Sequence, residues 1–319
     1  IDDITWNDLG MDDIFRMMNN TNSSAGQEYL YRMLRQPDAD MESLKKLDRL
    51  ATAIDKNASK RLELQKIFVW IGRAKHISIS DYCDVVVGLD KKSNALHYAS
   101  LLFLVAAIVF TCVINPVIGI WLCIAAVAFS IITYYKFKAG VDRYFICVNH
   151  IVKLLMGAGK ITALNVDFLE EYNIKLKNIT EDLSDIMKRS WLLETGNVDG
   201  SIMEMALDYL RMLTHADLIK FNNLIKLFHD KEKRIYELID TLGFIESSIA
   251  IASFRNMLDA WCIPEFKNDS DMQLEVKNVY HPLIKKPVAN SISTKHNVLL
   301  TGSNASGKST FLKTIAVNA

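Results

Sequence analysis

No Asp, Glu, Lys or Arg occurs from Ser93 through Tyr135, a gap of 43 residues in a chain of 319. Proline and glycine are scarce too, at 5 and 13, which argues against a loop-rich all-β fold and for long helices. Net charge is missing: 37 basic side chains balance 37 acidic ones, so no global basic field announces nucleic-acid binding, although a local patch could supply it. The five cysteines, Cys83, Cys112, Cys123, Cys147 and Cys262, contain no C-x-x-C pair. That excludes a patterned disulfide framework or zinc site and fits a reducing compartment. No targeting signal precedes the acidic opening Ile1-Asp2-Asp3, and the lack of an initiator methionine reads as a fragment.

What is present is apolar. Half the residues are hydrophobic and the mean hydropathy is +0.11. Within the uncharged stretch, Asn115-Pro116 separates 95–114 from 117–135, of 20 and 19 residues. At about 1.5 Å per residue each half spans roughly 30 Å, the thickness of a bilayer hydrocarbon core. Lys91 and Lys92 flank one end and Lys136, Lys138 and Arg143 the other, while the central turn is uncharged. Positive flanks favour the cytoplasmic side, so both ends are expected there with a tight turn outside. Trp121, Tyr134 and Tyr135 are placed for interfacial depth, and a buried hairpin in a soluble core is the competing reading. His97, near one end, is the one ionisable residue inside, so the hairpin reads as an anchor and not a transport path.

The flanking sequence is amphipathic. Before the hairpin, Ser24 and Gln27 have capping-box spacing ahead of Tyr29, Leu30, Met33 and Leu34, and Pro37 ends that helix. A second helical pattern runs from Met41 to Lys75. After the hairpin, one apolar stripe takes in Leu183, Ile186, Met187, Trp191 and Leu192. A further series contains Leu207, Leu210, Leu213, Leu218, Phe221 and Leu224. Both read as core faces of long helices. The interspersed Lys/Arg runs at 56–75 and 220–234 read as solvated helix faces. Pro264 and the polar run 267–271 mark a boundary, after which 273–277 and 296–300 have the texture of short strands. The fold class is thus mainly α: a helical segment at 1–92, a transmembrane hairpin at 93–136, a long-helix region at 137–264, and at 265–319 the first strands and phosphate loop of an α/β ATPase domain.

Chemistry is carried by Gly302-Ser303-Asn304-Ala305-Ser306-Gly307-Lys308-Ser309, which satisfies G-x-x-x-x-G-K-[ST]. Glycines let backbone N–H groups turn around phosphate oxygens, and the following helix adds its positive N-terminal end. Lys308 is placed to reach the β- and γ-phosphates of ATP, and the Ser309 hydroxyl to ligate Mg²⁺. The context also fits: Val298-Leu299-Leu300 reads as the preceding strand and the residues from Thr310 to Ala316 as the following helix.

The segment from Thr301 to Thr310 resembles the T-G-x-N-x-x-G-K-S-T loop of MutS proteins, within the wider ABC-type ATPase class. Tyr280-His281-Pro282-Leu283 resembles their H-P-L element, and Pro287-Val288-Ala289-Asn290 the element after it, which implies that Val288 lies near the adenine ring. From Ser23 to Pro37, Gly26, Leu30, Leu34 and Pro37 resemble the segment opening the MutS helical core, with Ser23 where that family usually has threonine. The resemblance implies an ATP-driven clamp acting on DNA and working as a dimer.

Some features depart from that family. The hairpin is foreign to its soluble repair enzymes and points to a membrane-tethered branch. The family's mismatch-reading domain carries a Phe-x-Glu wedge, and Phe168-Leu169-Glu170 matches only its letters, in helical surroundings. The acidic Walker B strand, signature loop and dimerising segment do not follow Thr310, so poor nucleotide binding and little hydrolysis are expected of this chain taken alone. Two other readings stay open: a membrane transport ATPase, and a nucleotide-switched scaffold that binds no DNA.

Overall fold

The computed structural model describes residues 1–37, 40–74, 78–190, 202–266, 274–303 and 306–318. Lys75, Trp191, Leu192, 267–271, Gln273, Asn304 and Ala305, singled out above, lie outside the described residues. The helices are α1 (Asp3–Leu9), α2 (Met11–Met18), α3 (Ser24–Arg35), α4 (Met41–Lys56), α5 (Ala58–Ile71), α6 (Ile79–Val87), α7 (Ala95–Val113), α8 (Pro116–Ala163), α9 (Glu170–Asp182), α10 (Ser184–Ser190), α11 (Ile202–Thr214), α12 (Ala216–Met257) and α13 (Lys308–Asn318). Two strands, β1 (Leu274–Val279) and β2 (Asn290–Thr294), pair antiparallel, with Val276 opposite Ile292. The chain forms two compact units: Ile1–Thr21, Tyr29–Arg61 and Ser247–Ala319 in one, Asn22–Glu28 and Leu62–Glu246 in the other.

The second unit contains the apolar stretch as an antiparallel pair. Pro116 stands at the first position of α8, and the Asn115 side chain accepts from the backbone N–H groups of Val117 and Ile118 at 3.0 and 3.2 Å. Those two residues explain the sharp restart, because proline is pre-shaped for a first helical turn and asparagine satisfies its free donors. The arms touch closely: a Cβ on Gly119 would lie 2.4 Å from the Thr111 Cα. Lys136 and Lys138 interrupt nothing, since α8 continues for 48 residues in all.

Among the described residues three segments are long and apolar enough to cross a membrane: Ala95–Val113, Pro116–Val141 and Tyr144–Ala163. The first two are 17% and 28% buried within the protein and the third 56%. The third therefore spends its apolar face on its own unit, where Leu154, Leu155, Ala158 and Ile161 are fully buried. Large apolar side chains of the hairpin, such as Leu102, Ile118, Trp121 and Ile132, stay exposed. Tyr134 departs from the expectation of an exposed belt residue: it is 3% exposed, and its hydroxyl donates to Asp217 at 2.8 Å.

In the same unit a buried carboxylate organises the start of α3. Glu246 accepts from the backbone N–H of Asn22 at 2.5 Å and of Ser23 at 3.1 Å, and from the Ser23 hydroxyl. The cap expected from Ser24 and Gln27 sits one residue earlier. Ser23 Oγ accepts from the Gly26 N–H at 3.2 Å, because the Ser23 carbonyl already accepts the first helical bond, from Gln27. Ser24 Oγ instead accepts from Ala74 N–H at 2.6 Å. Gly26 is required by close approach, since a Cβ there would fall 2.2 Å from Glu246 Oε2.

Candidate phosphate loop and its support

The candidate site lies in the first unit and starts from α13. Gly307, just before it, has φ +85°, a left-handed conformation that glycine adopts without steric cost. This turns the chain into the helix, whose first continuing bond runs from Phe311 N–H to the Gly307 carbonyl at 2.9 Å. Lys308 Nζ folds back over the loop, donating to the carbonyl of Gly302 at 2.7 Å, to that of Ser303, and to Ser306 Oγ at 3.4 Å. An ammonium surrounded by neutral loop oxygens is a cation in search of an anion, so the residues present fit a bound phosphate. Ser303, Ser306, Ser309 and Thr310 are exposed around it.

Behind the loop, α13 is held by residues that the motif does not contain. Trp6, Met11 and Ile14 form a buried cluster against which Leu34, Leu283 and Val317 pack. The Trp6 indole N–H donates to Asp12 at 2.8 Å, and the Arg35 guanidinium lies 4.4 Å from its ring centre. Asn318 Nδ2 donates to the Tyr280 carbonyl at 3.1 Å, and the Tyr280 hydroxyl donates to the Ala260 carbonyl at 2.8 Å. His281 is buried. Burial, helped by the Lys313 charge, lowers its pKa, and its Nδ1 accepts from Leu283 N–H at 3.3 Å. The H-P-L element is thus a neutral-histidine turn that presents Leu283 to the same cluster as Val317 of α13. Nothing in the spacing of the loop motif signals Trp6; only the H-P-L letters hint at this support.

Replacing Trp6 with alanine is expected to cost about 3–5 kcal/mol, the usual range for emptying a buried Trp site. The readout is a lowered thermal midpoint. Nucleotide affinity should fall with it, because Val317 loses its packing partner.

Other expected site residues are not gathered here. Val288 is 82% exposed in the connection between β1 and β2, where its carbonyl accepts from Asn290 at 3.0 Å. The expected strand at 298–300 does not join the sheet. Among the described residues β1 and β2 pair only with each other, and Val298 and Leu299 are 57% and 87% exposed. A ladder needs a neighbouring backbone, and among the described residues none flanks this run. Among the described residues the α/β layer read from the sequence is therefore present only as a two-stranded hairpin and α13.

These features define a mainly helical protein that carries a G-x-x-x-x-G-K-S loop at the start of a helix. The chain is similar to MutS protein homolog 4 from mouse, at 32% identity over 122 residues, or 36% of this chain and 12% of the mouse protein. The human MutS protein homolog 4 is 28% identical over a match of the same extent. The similarity therefore spans about an eighth of those relatives' length. No protein-family model matches the chain. A partial relationship to MutS homologues is what the comparison supports.

Proposed function

We propose that this chain is the ATP-binding, membrane-anchored portion of a MutS-like clamp that acts on DNA. The observation that carries the reading is Lys308, drawn over the loop oxygens at the head of a buttressed helix, in a chain with partial similarity to MutS homologues. Lys308 would hold the β- and γ-phosphates, and the loop N–H groups would supply the rest of the cradle. Ser309 is the protein ligand for Mg²⁺, which neutralises charge on the phosphates. Val288 lies at the adenine by family resemblance alone. The partner is DNA, the working form is a homodimer with paired sites, and both flanks of the hairpin are cytoplasmic.

The anchor reading is supported by two adjacent apolar helices with few buried positions. A transport ATPase is disfavoured because the third apolar segment is more than half buried against protein. Flotation of cell membranes followed by an alkaline carbonate wash tests the anchor. The protein is expected to float and to resist the wash. Release into the soluble fraction would refute the anchor.

A further inference from the structure

α11 leaves an apolar face open. Met205, Tyr209 and Leu210 are 57%, 61% and 56% exposed. On a helix Met205 and Tyr209 form one i, i+4 row and Ala206 and Leu210 the next, so the four share one face. The other face carries Asp208 and Arg211, paired at 2.8 Å. Apolar periodicity of this kind reads as core from the sequence, yet among the described residues no core covers it.

The C-terminal end of α11 is fixed to the hairpin. Ser130 of α8 donates to the carbonyls of Met212 and Leu213 at 3.3 and 2.9 Å. His215, just past α11, has its Nε2 2.9 Å from the Ser130 carbonyl and its Nδ1 2.9 Å from His97 Nδ1 of α7. These buried contacts set a level along the hairpin. At about 1.5 Å per residue, Ser130 is roughly 21 Å from the turn at Pro116, and the arm formed by α7 is roughly 28 Å long. The end of α11 is therefore about 7 Å inside the lysine-flanked end of the hairpin. Amphipathic helices that lie in a membrane surface seat their apolar face about 5–10 Å into the headgroup–acyl boundary.

We propose that α11 lies in the cytoplasmic interface of the bilayer, its Met205–Tyr209 and Ala206–Leu210 rows in lipid, bracing the hairpin at its base. The proposal rests on the hairpin being a membrane anchor. Lipid is the occupant that fits, because α11 is fastened to the hairpin whose exposed Leu102, Phe129 and Ile132 are apolar at the same end or along the same arms. The Asp208–Arg211 pair is neutral as a unit, so seating is driven by apolar burial and not by anionic headgroups.

The test uses the whole protein in phosphatidylcholine vesicles, with Cys112, Cys123 and Cys262 replaced by serine and single nitroxide labels at Val105→Cys, Tyr209→Cys or Asp208→Cys. Collision with oxygen and with an aqueous nickel chelate reports depth. The proposal predicts that label 105 is deep, label 209 is shielded from nickel, and label 208 is open to it. Adding phosphatidylserine should leave this order unchanged. If label 105 is deep while 209 and 208 meet nickel equally, α11 is not a membrane element and the anchor stands. If label 105 itself is open to nickel, the anchor reading fails and the placement of α11 fails with it.

Discussion

Lys308→Ala is expected to weaken ATP binding by about 10- to 100-fold, the loss that accompanies removal of charge-assisted hydrogen bonds worth about 1.5–3 kcal/mol. Among the described residues the lysine has no second structural task that would blur the result. Its Nζ donates to the carbonyls of Gly302 and Ser303 and to Ser306 Oγ, all within its own loop. The thermal midpoint of the variant without nucleotide should therefore stay close to that of the parent, while the ATP-dependent rise in midpoint disappears. Calorimetric titration of the detergent-solubilised protein with ATP and Mg²⁺ checks the affinity. Equal affinity in the two proteins would show that 302–309 is a turn and not a phosphate site.

Glu246 sets the second large effect. Burial pushes its pKa up to about 7, against the pull of the Ser23 hydroxyl, the Asn22 and Ser23 amides and the Arg73 charge. A carboxyl whose pKa rises on folding holds its proton more tightly in the folded state. Its contribution is complete below the unfolded pKa, near 4.5, and is lost as pH rises through about 7. The shift corresponds to about 3 kcal/mol, so stability should decline from about pH 4.5 to about pH 7 and level off above it. Glu246→Gln keeps the shape without the titration and should flatten that part of the profile. Glu246→Ala should cost about 3 kcal/mol or more at any pH, because Asn22 N–H, Ser23 N–H and the Ser23 hydroxyl lose their buried acceptor. Gly26→Ala attacks the same contact from the other side by overpacking. Thermal melts across this pH range decide the matter: an identical slope in the parent and Glu246→Gln would place the titration elsewhere.

Much of the helical architecture was legible from local pattern. The hairpin followed from length and missing charge, and its break at Asn115-Pro116 from the chemistry of a first helical turn. Leu218, Phe221 and Leu224 are buried as their periodicity implied. Local pattern failed where a distant partner decides. Ser23 rather than Ser24 caps α3 because Glu246 organises the turn before it. Tyr134 is buried because Asp217 receives its hydroxyl. Leu210 has perfect core spacing but remains exposed, since periodicity marks an apolar face without naming what covers it. The G-x-x-x-x-G-K-S motif stands out in eight letters, whereas the packing of Trp6, Leu283 and Val317 behind it joins residues from opposite ends of the chain. Val298–Leu300 has strand composition, but composition supplies no neighbour to pair with.

The most direct test of the clamp reading is DNA binding by the solubilised protein, comparing homoduplex, mismatched and branched DNA with and without ATP. A MutS-like clamp is expected to prefer one DNA structure, a preference that ATP alters and Lys308→Ala removes. Intact ATP binding with no affinity for any of the three would contradict it.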